Sequence, residues 1–439
     1  MAGDEWRDTT IGDLLASHGG SVKTGPFGTT LKAREYSATG VPLISVGEVG
    51  YGSLIVHDTT PRAPREVVER LPEYVLEAGD IVFGRKGAVD RSALVRPEQA
   101  GWFLGSDGIR LRLPKVCDAR FMAYQLQSRE SRSWLLQHAT GTTMASLNQG
   151  TIERLPVVLP PLAEQRAIAH ILGTLDDKIE LNQRINETLE TMARALFKSW
   201  FVDFHPVRAK AEGRDTGLPQ PLADLFPDSF EDSALGETPR GWTVGALDDF
   251  VCQRVERCSA SPDTVARPYV PIDCIWPNSL FLRESKPGEE AQSSLTRFYK
   301  GDILFGAMRP YFHKVCIAPF DGTTRTTAFV LYPRQADDFA FATLLLHHAN
   351  TIDFATRHSR GSTIPYAVWT DSLNRMPVVA PPLNVRKAFN GLMRPVLLRI
   401  PEPYFENRSL ATLRDTLLPK LMSGTLRVGD PGRFPRSGD

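Results

Sequence analysis

Cysteine is scarce and patternless in this sequence. The five thiols, Cys117, Cys252, Cys258, Cys274 and Cys316, form no CxxC pair and are odd in number. That excludes a disulfide framework and a thiolate zinc site, and reduced cysteines in a cytoplasmic protein are expected. No run of eighteen apolar residues exists, and the first ten residues are acidic and polar. Neither a membrane span nor a secretory signal is expected. Charge of one sign is also missing, with Lys+Arg and Asp+Glu at 51 each. A nucleic-acid partner would have to be met by local basic surfaces offset by acidic surface elsewhere.

Catalytic signatures are absent too. "GRKGAVDR" at Gly84 has a glycine and a lysine, but not the order or spacing of a phosphate-cradling GxxxxGK[ST] loop. No HExxH or Cys/His cluster appears, and His347-His348 sits in an apolar helical run, so no metal is expected. There is no Gly-x-Ser-x-Gly elbow. Both Pro-Pro pairs follow Leu or Ala, which excludes the Asn/Asp-Pro-Pro-aromatic signature of an amino-methyltransferase. A nucleotide-driven motor and a DNA N6-methyltransferase are the classes these absences weigh against.

What is present is a repeat. "LPVVLPPLAEQRAIAHIL" from Leu155 returns as "MPVVAPPLNVRKAFNGLM" from Met376, an offset of 221 residues. "NETLETMARALF" from Asn186 matches "NRSLATLRDTLL" from Asn407 at the same offset. "GDIVFG" at Gly79 pairs with "GDILFG" at Gly301, and "GTTM" at Gly141 with "GSTI" at Gly361. "TIGDL" and "TVGAL" pair Gly12 with Gly245. Ordered matches with drifting offsets mean a tandem duplication of one unit with loops of different length.

The first part of each unit is rich in Gly, Pro and short β-branched runs. "GVPLISVG", "GDIVFGR", "IRLRLP", "RPYVPIDC", "GDILFGA" and "AFVLYP" read as strands. "ARFMAYQLQSRESRSWLLQHA" and "FAFATLLLHHANTIDFATRH" read as helices. The second part of each unit is helical. Ile168, Leu172, Leu175 and Ile179, then Ile185, Leu189, Met192 and Leu196, repeat at threes and fours, as do Leu410, Leu413, Leu417 and Leu421. Forty residues of helix would span about 60 Å. The long helices either lie antiparallel against each other as a spacer or each cover their own domain, and their length favours the spacer. Pro395, Pro401 and Pro403 must kink or break the second one, and Gly424 suits its C-terminal cap.

The fold class is therefore α+β: two tandem mixed α/β domains separated by two long helices packed as an antiparallel coiled coil. The expected boundaries are 1–160 for the first domain, 161–205 for the central helix and 206–240 for a linker. Residues 241–380 form the second domain, 381–428 the C-terminal helix and 429–439 a disordered tail.

Three stretches of the first unit, "KTGPFGTTL" at Lys23, "VVLPPLAEQRAIAHILGTLDDKIELNQRINETLE" and "ALFKSWFVDFHPVRAKAEGR", carry a family resemblance. So do "GDILFGAMRPYFHKVCIAPFDG" and "LRDTLLPKLMSGTLRV" in the second unit. Together with the repeat they make the chain resemble the specificity subunit of a type I restriction–modification system, over nearly its whole length. In the second joint "NVRKAF" stands where the family pattern has EQ-x-x-I.

The resemblance implies two target-recognition domains, each reading one half of a bipartite site in double-stranded DNA. It implies that the helices are a ruler and a dock for two methyltransferase subunits, with two translocase/endonuclease subunits completing the complex. S-adenosylmethionine, ATP and magnesium then belong to those partners, none to this chain, which would not be an enzyme itself. The loops of the two heads differ, so the composite target should be asymmetric.

Candidate DNA contacts come from the residues alone. Lys23, Arg85, Lys86 and Arg91 fall in Gly-rich loops of the first head, where backbone can approach phosphates. Arg309, Tyr311, His313, Lys314 and Arg325 cluster after "GDILFGA" in the second. For "TGPFG", "GTTM" and "GSTI", shaping the head is expected at least as much as touching DNA. A self-sufficient DNA-modifying enzyme and a coiled-coil scaffold for proteins are the competing functions.

Overall fold

The computed structural model describes residues 6–28, 30–141, 143–292 and 294–429. All of the expected tail except Gly429 lies outside the described residues. One helix dominates the second part of the first repeat, α1 (Leu162–Phe201), and two that of the second, α2 (Leu383–Arg399) and α3 (Pro403–Met422). The chain divides into two compact units, Met1–Asp177 with Leu410–Asp439, and Lys178–Ser409. Among the described residues no helix is long and apolar enough to cross a membrane.

In the first unit, β1 (Arg7–Thr10), β2 (Ser21–Thr24), β3 (Ile81–Gly84), β4 (Ser92–Leu94), β5 (Gly108–Arg112) and β6 (Pro156–Leu159) set the frame. The main sheet is antiparallel in the order β2-β5-β3-β4. β1 pairs antiparallel with β6, with Thr10 opposite Pro156. Ile81 and Phe83 from β3 pack with Ile109 and Leu111 from β5 against Phe121, Leu126 and Leu135 of two helices. The stretch expected as one helix is two, Ala119–Leu126 and Arg129–His138. Ser128 divides them because its hydroxyl caps a new N-terminus, accepting from Ser131 N–H.

The second unit repeats this frame. β7 (Thr243–Ala246), β8 (Val251–Arg254), β9 (Ile303–Gly306), β10 (Val315–Ile317), β11 (Ala328–Pro333) and β12 (Pro377–Ala380) follow in order. The sheet order is β8-β11-β9-β10, again antiparallel, and β7 pairs with β12. Register corrects one sequence match. Ile11 N–H donates to Leu155 O at 3.1 Å and Leu247 N–H to Met376 O at 2.9 Å. Gly245 therefore corresponds to Thr9, not to Gly12. "RPYVPIDC" forms two isolated bridges at Tyr269, to Lys286 and Thr323, and a short 3-10 turn, Ile272–Cys274, rather than a strand. Pro268 and Pro271 remove the donors a ladder needs.

The stretch expected as a linker, 206–240, is folded. It forms helices His205–Ala211 and Gln220–Ala223 and a hairpin, Phe230–Ser233 with Gly236–Pro239. Phe226 from it joins Trp200, Phe204 and Trp242 in the aromatic core of the second unit. Charge and glycine counts hid those anchoring rings.

The proline readings resolve individually. Pro395 is carried inside α2, whereas the chain breaks at Ile400–Glu402, and Pro403 opens α3. A first-turn proline costs no helical hydrogen bond. Gly424 follows α3 in the left-handed region, φ 70°.

Candidate nucleic-acid interface

The shared Gly-Asp pair builds the base of a loop. Gly79 and Gly301 sit at φ 92° and 89°, which a side chain would resist. The next residue is a buried carboxylate in each repeat. Asp80 accepts from Glu77 N–H and from Arg112 Nε and Nη2, each at 2.8 Å. Asp302 accepts from Tyr299 N–H at 2.8 Å and from Arg254 at 2.9 and 3.0 Å. Arg112 comes from β5 and Arg254 from β8, so the two repeats fill one role from different strands. Forked, charge-assisted bonds of this kind are stiff.

Beyond β3 and β9 the chain turns out into matching loops. Arg85 N–H donates to Asp107 O at 2.9 Å, and Ala307 N–H to Thr327 O at 2.9 Å. Leu147 N–H bonds Arg85 O, and Ala367 N–H bonds Ala307 O, both at 2.8 Å. Gly87 N–H reaches Ala145 O at 2.8 Å, and Arg309 N–H reaches Pro365 O at 2.7 Å. These bonds make Gly87 and Arg309 equivalent. Gly87 has φ 74° and Arg309 φ 51°. An arginine thus holds a left-handed position for which the first repeat uses glycine. Such strain persists only where the surroundings over-determine it, and it concentrates at functional sites.

In the first repeat, Arg85, Lys86 and Arg91 share this one loop. Arg85 lies over the Phe27 ring at 4.9 Å and donates to Ser106 O at 3.2 Å. Lys86 Nζ is 3.2 Å from Asp107. Arg91 and Arg132 both approach the Tyr51 ring, at 5.4 and 4.3 Å. Tyr51 Oη donates to Asp90 at 3.0 Å, and Arg132 Nη2 to the same carboxylate at 2.7 Å. Burial pushes the Asp90 carboxyl up, but bonds from Arg132 and Tyr51 outweigh it and leave it below the usual range. Lys23 stands outside the loop on β2, 3.8 Å from Glu73 and over the Tyr74 ring.

In the second repeat, Arg309, Tyr311, His313 and Lys314 share the equivalent loop. Tyr311 is exposed beside Phe312. His313 and Lys314 turn inward: His313 Nε2 lies 2.7 Å from His347 O, and Lys314 Nζ donates to Ile272 O at 2.8 Å. Burial holds the His313 imidazole below its ordinary value. Their polar ends are occupied, whereas Tyr311 is exposed and Arg309 is half-buried. Arg325 ends a separate short strand, Gly322–Arg325, beside Tyr269. A cleft of about 470 Å³ opens next to the loop, lined by Trp276, Phe312, Arg309, Lys314, Asp273 and Glu284.

Sequence reasoning named Phe27 only within "TGPFG" and passed over Tyr51, Arg132, Trp276 and Arg283, which stacks over Trp276 at 4.4 Å. Their signal was an aromatic flanked by Gly or Pro: "PFG", "GYG" and "IWP". Among the described residues no cluster of His, Cys, Asp or Glu could hold a metal.

The strand-to-helix joints are stitched by position-matched side chains. Gln165 donates to Pro160 O at 2.8 Å and accepts from Asp118 N–H at 2.9 Å. Arg386, 221 residues on, donates to Pro381 O at 3.1 Å and pairs with Asp338.

The helix seam follows a different phase from the sequence stripe. In the first unit Ile168, Leu172 and Leu421 are buried together, with Leu417 packed against them and Leu175 half-buried; Ile179, half-buried too, belongs to the second unit. Arg414 pairs with Asp176 at 2.7 Å and Arg427 with Glu164 at 3.1 Å, an antiparallel order. In the second unit Asn182 donates to Glu406 and Asn407 at 2.8 Å, and Asn186 to Ile400 O at 2.9 Å. The buried line there is Asn182, Asn186, Ala193, Phe197 and Trp200, with Leu189 and Leu196 packed at its side. Ile185 and Met192, expected in the seam, are 41% and 55% exposed, and Leu413 is exposed as well. Leu410 is half-buried. Polar residues whose amide N–H groups are hydrogen-bonded displaced the apolar ones, which an apolar-only count cannot foresee.

Comparison with known proteins agrees with this frame. Residues 3–191 match the family model described as the type I restriction modification DNA specificity domain. The Methanocaldococcus jannaschii type I restriction enzyme MjaIX specificity subunit is 24% identical, over 97% of this chain and 94% of the relative. The Haemophilus influenzae HindI specificity subunit is 24% identical over 70% and 77%. The crystal structure of a type I restriction–modification S subunit from M. genitalium superposes with a TM-score of 0.60 at 15% identity. That superposition covers 96% of this chain and 97% of the other.

Proposed function

We propose, for a chain that belongs to the type I restriction–modification specificity subunits, that each repeat reads one half of an asymmetric bipartite site in double-stranded DNA. The chain is not itself an enzyme; it directs methylation and restriction carried out by partner subunits. The observation that carries the reading is the pair of loops on equivalent strands. Their backbone bonds coincide while the side chains they carry do not: Arg85, Lys86 and Arg91 in one, Arg309 and Tyr311 in the other. One frame with two sets of groups suits two unlike words.

In this reading the paired helices fix the number of unread base pairs between the words, as half-site spacing follows from geometry in dimeric DNA binders. Their outer faces dock two methyltransferase subunits, and two translocase/endonuclease subunits join for cleavage. S-adenosylmethionine, ATP and magnesium are held by those partners, and the complex works in the cytoplasm. A gel-shift of the chain with its methyltransferase partner, across a salt series, tests the core of this. Specific binding should exceed that to random duplex, and both should weaken as salt rises. Binding indifferent to DNA would favour a protein scaffold instead.

A further inference from the structure

The hairpins that carry "GTTM" and "GSTI" are not absorbed by this account. In the first repeat, Thr140 N–H and Ser146 O bond at 2.9 Å and Ser146 N–H and Thr140 O at 2.7 Å, closing a hairpin. In the second, Arg360 and Tyr366 exchange the same two bonds, both at 2.8 Å. Gly141 and Gly361 turn each tip at φ 103° and 90°. Each tip presents an apolar side chain to solvent at the same position: Met144, 59% exposed, and Ile364, 49% exposed. An apolar tip placed there twice, in loops that otherwise diverge, needs an explanation beyond packing.

Two further features place the tips. Each hairpin is tied to the candidate reading loop, through Gly87 N–H to Ala145 O and through Arg309 N–H to Pro365 O. Each follows a helix whose C-terminal end carries a histidine stacked on an aromatic, His138 as the last helical residue and His358 as the cap. His138 lies on Trp134 at 3.9 Å and His358 on Phe354 at 4.0 Å. Their Nδ1 atoms face Trp134 O and Phe354 O at 2.8 and 2.9 Å, and both histidines are exposed. With Lys86, Arg309 and Arg360 alongside, the apolar tips rise from basic and hydrogen-bonding surroundings. Such a surface complements a polyanion with stacked apolar layers inside it.

The two half-sites differ in their bases but share their backbone and their stacking. Groups that differ between repeats suit bases, and groups that are the same suit what every step of a duplex offers. We propose that Met144 and Ile364 are wedges, each pressed between stacked base pairs of its own half-site and opening the step regardless of sequence. Apolar side chains at loop tips unstack and bend DNA in this way. This rests on the proposed function, and it adds deformation to reading.

The test uses the full chain with its methyltransferase partner. The duplex carries the target found by sequencing methylated adenines and is labelled at both ends for energy transfer. Wild type should shorten the end-to-end distance. Met144→Ala with Ile364→Ala should restore the free-duplex distance and weaken binding about tenfold or more, leaving the thermal midpoint and the methylated sequence unchanged. Met144→Leu with Ile364→Leu should bend DNA like wild type. Bending and affinity unchanged in the alanine variant would overturn the wedge. So would a changed base preference at one position, which would mean the tip reads a thymine methyl. Failure of wild type to bind the target at all would instead remove the underlying function.

Discussion

At the joint between strand and long helix, the first repeat uses a neutral amide and the second an ion pair. Gln165 ties Pro160 O to the cap residue Asp118, and Arg386 ties Pro381 O to Asp338. The backbone is the same and the chemistry is not. The position demands a group that bridges a donorless Pro-Pro corner to the start of a neighbouring helix, and either residue reaches. The cost of losing it should differ, because a buried charge left alone is worse than an unmade amide bond.

The largest expected effect breaks that comparison directly. Arg386→Ala strands the buried Asp338 carboxylate, and denaturant unfolding of the second unit should lose about 3–5 kcal/mol. Gln165→Ala should cost the first unit about 1–3 kcal/mol. Equal losses would mean that the ion pair adds nothing to the bridge.

Next comes the reading loop. Arg309→Gly should relax base choice at one position of one half-site by about 1–3 kcal/mol of discrimination, read by competition binding. The other half-site should be untouched. Because glycine suits φ 51°, the fold should not suffer.

Acid separates the units more gently. Where the first repeat has Gln127-Ser128, the second has His347-His348. Burial, with His313, Arg194 and His348 nearby, lowers His347 to about 3. Its neutral form therefore supports folding fully above the ordinary value near 6.5, and that support is lost as pH falls from there toward 3. The second unit should lose up to about 1.4 kcal/mol per pH unit from this group over that window, and His347→Gln should flatten the slope. Unfolding followed at pH 7.5 and 5.5 checks it.

Smallest are Ile185→Ala and Met192→Ala. Both side chains lie outside the seam and should shift stability by no more than about 0.5 kcal/mol. Ala193→Leu, aimed into the packed line, should cost about 1–3 kcal/mol.

The duplication, the strands around "GDIVFG" and "GDILFG", and the α1 span were legible because period and turn chemistry are local. The seam phase was not, since Asn182 and Asn186 are buried by partners more than two hundred residues away. The inward turn of His313 and Lys314 was equally hidden, because it depends on carbonyls of His347 and Ile272. Folding of 206–240 escaped for a similar reason: Phe226 needs Trp200 before it reads as core.

Single-molecule sequencing of methylated adenines in the host's DNA bears most directly on one frame holding two reading surfaces. The account predicts a target of two unlike words separated by a fixed run of unspecified bases. A single uninterrupted word, or two identical halves, would contradict it.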